Sequence, residues 1–454
     1  MTLTHQQSMN FIYEQVLDRL MGHMSPAQRA SMQLLVQRLL VSAGGADHIG
    51  TFRLLVVHGN DRRSARLLAM LRAAQLCIAL RAPNTFQLRV LVACLPGAGN
   101  AVMQHHERCF NALFMADDPR VQLQIIEGAV PVPFDCRTPF HADDWILQRR
   151  SLLLFGHLRD NHCQALLGSR LHLELAASVH RVIGDTEAPV DAVVTALPAR
   201  QRLRYLAWAR RVLRQADARG AQAAPHCVAA LMDGLSQLSA IAETPLELSY
   251  PPVTVSADKQ IPLCSINLDD LLPHLCDEGL LDVMLECSGE TALDCPPIAA
   301  FLDPLGLSRM DDLQSRCSLP VDPLQPPNLA GFGQPLQAAQ ALLARYPNAY
   351  GLEPVHVGCL LFQPFVDRGR MLKAFLECRH PDMLVALPYL FRALQGQPSP
   401  EAVKGWLVNV SGLPLLELRA IFEGRVPLAL RHLLKILSRR DSSLVLRPRA
   451  EARR

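Results

Sequence analysis

The strongest constraint in this chain is an alternation of apolar runs and helical periodicities between residues 51 and 127. Thr51–His58 places Leu54, Leu55, Val56 and Val57 in unbroken succession, and Phe86–Cys94 does the same with Val90, Leu91 and Val92. Runs of that length without polar alternation are strands buried on both faces, the pattern of parallel sheets. Between them, Leu67, Leu71, Ala74 and Ile78 recur at helical spacing. A second helix follows over 101–115, with Met103, Phe110 and Phe114 apolar, and then a third strand over 121–126. A parallel pair needs a crossover, and a helix supplies it.

The fold class expected is therefore α/β: an N-terminal parallel β-α-β-α-β unit of Rossmann-like type followed by a mostly α-helical remainder. At 454 residues the chain exceeds one ordinary core. Composition shifts divide it into a helical pair (1–45), the α/β unit (46–160), a helical segment with a basic helix (161–242), an acidic Pro-rich segment (243–330) and a C-terminal helical region with a basic tail (331–454). In the helical pair, Ser25 followed by Pro26 is a helix start and Gly44-Gly45 a helix end. The wide stripe Leu34, Leu35, Val36, Leu39, Leu40 and Val41 requires burial. In the acidic segment 15 acidic residues face 3 basic ones, and short helices are expected over 269–286 and 308–317. The C-terminal region reads as short helices over 336–345, 368–378, 382–394, 400–410, 415–422 and 426–438, with Ser399-Pro400-Glu401 as a start signal. No motif repeats between these units, which favours a compact helical packing over a solenoid.

Half of the residues are apolar and 19% charged, which excludes a disordered chain. No apolar run approaches the roughly 18 residues of a membrane span, and the first 21 residues mix His5, Gln6, Glu14 and Asp18 into a helical pattern instead of a secretory leader. A cytoplasmic protein with no transmembrane segment is expected. The 13 cysteines form no C-x-x-C pair, so free buried thiols are expected and zinc or another metal is not. The first lysine is Lys259, and arginine supplies nearly all of the positive charge, a bias that a G+C-rich genome produces without selection for bidentate contacts.

The candidate ligand site lies in two strand-to-helix turns, with Gly59, Asn60, Gly97, Gly99 and Asn100 as the cofactor-binding candidates. Ligands of open parallel sheets sit beyond the carboxyl ends of the strands, where helix N-termini offer unpaired N–H groups to an anion. A nucleotide is the cofactor such turns would take, but the fingerprints are incomplete. Val102 stands where the third glycine of G-x-G-x-x-G belongs, and no lysine is present for a P-loop. A methyltransferase arrangement, with Glu127 ending the third strand, lacks further support. His105 and Cys109 are four apart and share a helix face; the pairs Asp117-Asp118 and Asp143-Asp144 are candidates for a divalent ion, though adjacent residues on a helix diverge.

The clearest charged feature is the helix over 199–219, whose basic surface comprises Arg200, Arg204, Arg210, Arg211 and Arg214 opposite Tyr205, Trp208, Val212 and Leu213. It suits the chain's own acidic segment first, and nucleic acid less. The functional expectation is a protein–protein interaction or adaptor protein with a degenerate α/β unit. The alternative is a transferase using a nucleotide-linked donor at the carboxyl edge of the 51–127 sheet, and the third reading a nucleic-acid-associated protein acting through the arginine-rich helix.

Overall fold

The computed structural model describes residues 3–59, 61–82, 84–92, 100–127, 130–137, 146–158, 163–185, 189–197, 199–218, 228–243, 263–271, 280–285 and 354–439. Among these residues the protein is a mixed α/β structure with one six-stranded sheet and helices on both of its faces. Helices α1 (Leu3–His23) and α2 (Pro26–Ser42) come first. Ser25 and Gln28 form a reciprocal capping box at the start of α2, with Pro26 at the first helical position. Gly44 and Gly45 follow its end at φ +83° and +120°, conformations that an L side chain resists.

Then β1 (Arg53–His58), α3 (Arg62–Arg81), β2 (Gln87–Val92), α4 (Asn100–Ala112) and β3 (Val121–Glu127) follow one another as the apolar runs require. Both strand pairs are parallel, Leu54 opposite Leu88 and Val90 opposite Leu123. The hairpin strand β4 (Val130–Pro133) is antiparallel to β3 and forms the sheet edge, where Pro131 and Pro133 cost no ladder to a further strand. After α5 (Ile146–Leu158) and α6 (Cys163–Ile183), β5 (Ala192–Val194) adds to the opposite side of β1. Beyond α7 (Ala199–Gln215) and α8 (Val228–Glu243) comes the two-residue β6 (Cys264–Ser265). The order is β4-β3-β2-β1-β5-β6.

Strand alternation sorts the core into two layers. Leu54, Val56, Leu88, Val90 and Val92 pack with α1 to α4, whereas Leu55 and Leu91 pack with α5 to α8. The stripe on α2 is narrower than expected: Leu35, Val36 and Leu39 are buried, but Leu34 and Val41 face solvent, because α2 turns one side to α3 and leaves the other outward. Helix α3 lies almost wholly inside and takes Arg72 with it. Arg72 donates to Asp118, Gln75 and the carbonyls of Leu113 and Phe114. Arg120 completes the cluster on Asp118 and stacks 4.2 Å over the Tyr13 ring, tying α1 to the α4–β3 turn.

Of the helix expected over 269–286, only α9 (Leu280–Met284) forms within the described residues; 269–271 is a turn. The segment is held to the sheet by Ile266, Leu268, Leu281 and Met284 and by three arginines, Arg38 on Asp270, Arg66 on Asp282 and Arg202 on Asp269. The helices expected over 308–317 and 336–345 lie outside the described residues.

The C-terminal helices are α10 (Pro354–Phe362), α11 (Leu372–Arg379), α12 (Leu387–Leu394), α13 (Glu401–Ser411), α14 (Leu415–Glu423) and α15 (Leu428–Leu437). Pro400, Pro414 and Pro427 each stand immediately before a helix, and Gly412 and Gly424 end two of them in the left-handed conformation. Ser399, expected to start α13, makes no side-chain bond among the described residues, and Pro400 takes the cap position. These helices share one hydrophobic cluster with the α5–α8 face of the sheet, and α15 lies against α5, α6, α7 and α8. Arg150 of α5 pairs with the buried Glu417 of α14, and His356 meets the Asn409 carbonyl at 3.0 Å.

Candidate functional site

The carboxyl edge of β1 is where the strand order turns about, with β2 on one side and β5 on the other. Of the five turn residues expected to bind a cofactor, Gly59 is described and buried, and Asn100 is the first residue of α4. Asn60, Gly97 and Gly99 lie outside the described residues, as does the side chain of Asn100. At the start of α3, Asp61 is the cap. Its carboxylate accepts from the Ser64 amide at 3.1 Å and from the Ser64 hydroxyl at 2.7 Å. Burial raises the Asp61 pKa, against the pull of the Ser64 bonds. A carboxylate thus already occupies the place where the first turn of α3 would meet an anion.

His58, the last residue of β1, projects toward α4. Its ring lies 4.9 Å from that of His106, edge-on at 64°, and 5.6 Å from Phe110. Phe134 closes the group against Phe110 at 5.1 Å. His58, His105 and His106 are all at most 2% exposed. Burial, reinforced by His105, lowers the His58 pKa to about 3, and burial with the neighbouring imidazoles holds His106 well below its ordinary value. Both rings are neutral at physiological pH, and neither Nδ1 has a hydrogen-bond partner among the described residues. His105 and Cys109 share a face of α4 as their spacing implies, but the ring that meets His106 is that of His58, from the end of β1. A histidine closing an otherwise apolar strand, one residue before a glycine, was the available signal.

Asp118, a candidate ion ligand, is instead bound between Arg72 and Arg120 at 2.7 Å from each. Asp143 and Asp144 lie outside the described residues. Among the described residues no group of three or more His, Cys, Asp or Glu side chains could hold a metal ion.

The basic helix is α7. Tyr205, Trp208, Ala209, Val212 and Leu213 are buried, and Trp208 and Tyr205 enclose His172 of α6 at 5.4 and 5.6 Å. Burial lowers the His172 pKa to about 3. Arg200, Arg204 and Arg214 are exposed, and Arg210 and Arg211 are half-buried. The acidic segment does reach this helix, but through Arg202, which grips Asp269 with two parallel bonds of 2.8 and 2.6 Å. Helical phase puts Arg202 on the inner side, away from Arg200 and Arg204.

No helix among the described residues is long and apolar enough to cross a membrane. Comparison with protein-family models, with characterised proteins and with solved structures finds no match to this chain.

Proposed function

We propose that this is a non-enzymatic interaction protein, an adaptor for a protein partner, built on a Rossmann-like sheet whose ligand edge is filled by its own side chains. The observation that carries the reading is the burial of His58, Asp61, His105 and His106 at the carboxyl edge of β1, each at most 2% exposed, with the Asp61 carboxylate on the first turn of α3. In open parallel sheets that edge is where ligands enter. Cys77 and Cys359 are buried free thiols, which agrees with a reducing, cytoplasmic setting.

The second reading, a transferase with a nucleotide-linked donor, is favoured by the reversal of strand order about β1 and rests on fold analogy. A thermal-shift panel of nucleotides and nucleotide sugars separates the two. A ligand at a hundred times its dissociation constant stabilises by about 2.7 kcal/mol. The adaptor reading expects no shift across the panel; a reproducible rise with one member overturns it in favour of the transferase.

A further inference from the structure

Helix α7 is anchored on one side and charged on the other. Arg200, Arg204 and Arg214 follow one another at i, i+4 and i+14, which places them within about 80° of arc and along about 21 Å of axis. All three are exposed, and the structure gives Arg200 and Arg204 no acidic partner among the described residues. Leu203 lies beside them at 63% exposure, between Arg200 and Arg204. By phase the half-buried Arg211 falls within the same arc and the half-buried Arg210 beside it.

We propose that this face docks an acidic, amphipathic protein segment, with carboxylates meeting Arg200, Arg204 and Arg214 and an apolar side chain covering Leu203. Three observations select that occupant. The same helix already shows the recognition in cis, where Arg202 takes the Asp269 carboxylate in a bidentate grip. A phosphate backbone has no use for an exposed leucine beside the row, whereas an amphipathic segment covers it. The chain as a whole carries only +3, with 45 basic and 42 acidic residues, so the positive field is local to the helix and lacks the broad reach that nucleic-acid binders use. The opposite face of α7 is fixed by Trp208 and Val212, so the arginines are presented on a rigid element.

The inference names the partner surface of the adaptor reading, yet its test does not depend on the sheet: a nucleotide-induced shift would overturn that reading and leave this one standing. Fluorescence anisotropy on the full chain would compare four probes. These are a labelled amphipathic peptide with glutamates every three or four residues beside a leucine seam, its scrambled isomer, a duplex DNA, and phosphatidylserine vesicles. The expected result is saturable binding of the amphipathic peptide in preference to the other three. R200E/R204E/R214E should weaken it at least tenfold and L203S severalfold, with circular dichroism and thermal midpoint unchanged because all four positions are exposed. The proposal is overturned if the peptide does not bind, if the scrambled isomer binds equally, if the triple variant binds as the parent does, or if DNA or vesicles bind more tightly and lose that binding in the triple variant.

Discussion

Asp118→Asn is the most informative perturbation of the fold, because one carboxylate holds together three elements. The Asp118 side chain is fully buried, as is that of Arg72. Burial by itself would raise the Asp118 pKa. The Arg120 hydrogen bond and the Arg72 charge outweigh it and hold the pKa at about 2, against an ordinary 3.8. That depression corresponds to about 2.5 kcal/mol of stability at neutral pH. Because the folded pKa lies below the unfolded one, the contribution is complete above about pH 5 and is lost as pH falls through 3.8 toward 2. Asparagine keeps one acceptor but removes the charge. Arg72 then retains Gln75 and the Leu113 and Phe114 carbonyls, with its buried charge uncompensated. Removing one member of a buried ion pair costs about 3–5 kcal/mol; the surviving acceptors put this variant near the lower end. Urea unfolding at pH 7 and at pH 3 would measure both effects, with D118N less stable at pH 7 and the gap to the parent narrower at pH 3. A variant within about 1 kcal/mol of the parent at pH 7, the range of an ordinary surface pair, or a gap independent of pH, would refute the reasoning.

Two further outcomes follow from packing and burial. A Cβ on Gly412 would stand 2.6 Å from Leu153 Cδ1 and 3.1 Å from His356 Nε2, at φ +67°, so G412A should destabilise by about 2–4 kcal/mol from strain and overpacking together; the same denaturation assay checks it, and a neutral effect would contradict the close approach of α13 to α5. His172 is buried with a pKa of about 3 against an ordinary 6.5. The folded state refuses a proton that the unfolded chain accepts, so stability is complete above pH 6.5 and falls as pH drops toward 3. H172F should therefore flatten the decline between pH 7 and pH 5 by about 2 kcal/mol, and an unchanged slope would show the ring to be solvated.

Local sequence was sufficient for the elements whose signals are periodic. The consecutive apolar residues of β1 and β2 leave no face for water, so burial on both sides and parallel pairing follow from the sequence pattern. The helical spacing of α3 and α4 supplied the crossovers. Proline and glycine punctuation gave α13 to α15 to within two residues, since Pro400, Pro414 and Pro427 cannot continue a helix from before and Gly412 and Gly424 end one. The row of arginines on α7 was equally visible as composition.

Tertiary structure decided the rest, because it depends on residues distant in sequence. β5 and β6 are three and two residues long, too short to carry a period, and exist as strands because β5 pairs with the edge of β1 and β6 in turn with β5. Asp118, a candidate ion ligand by sequence, takes its role from Arg72, 46 positions earlier, which no local pattern connects to it. His58 and His106 come together only when α4 folds back over the end of β1. Arg202 and Arg204 are two residues apart and indistinguishable by charge, but a turn of 200° sends one to Asp269 and the other to solvent. The sequence determined that α7 is basic; the burial of its Trp208 and Val212 determined which of its arginines are left facing solvent.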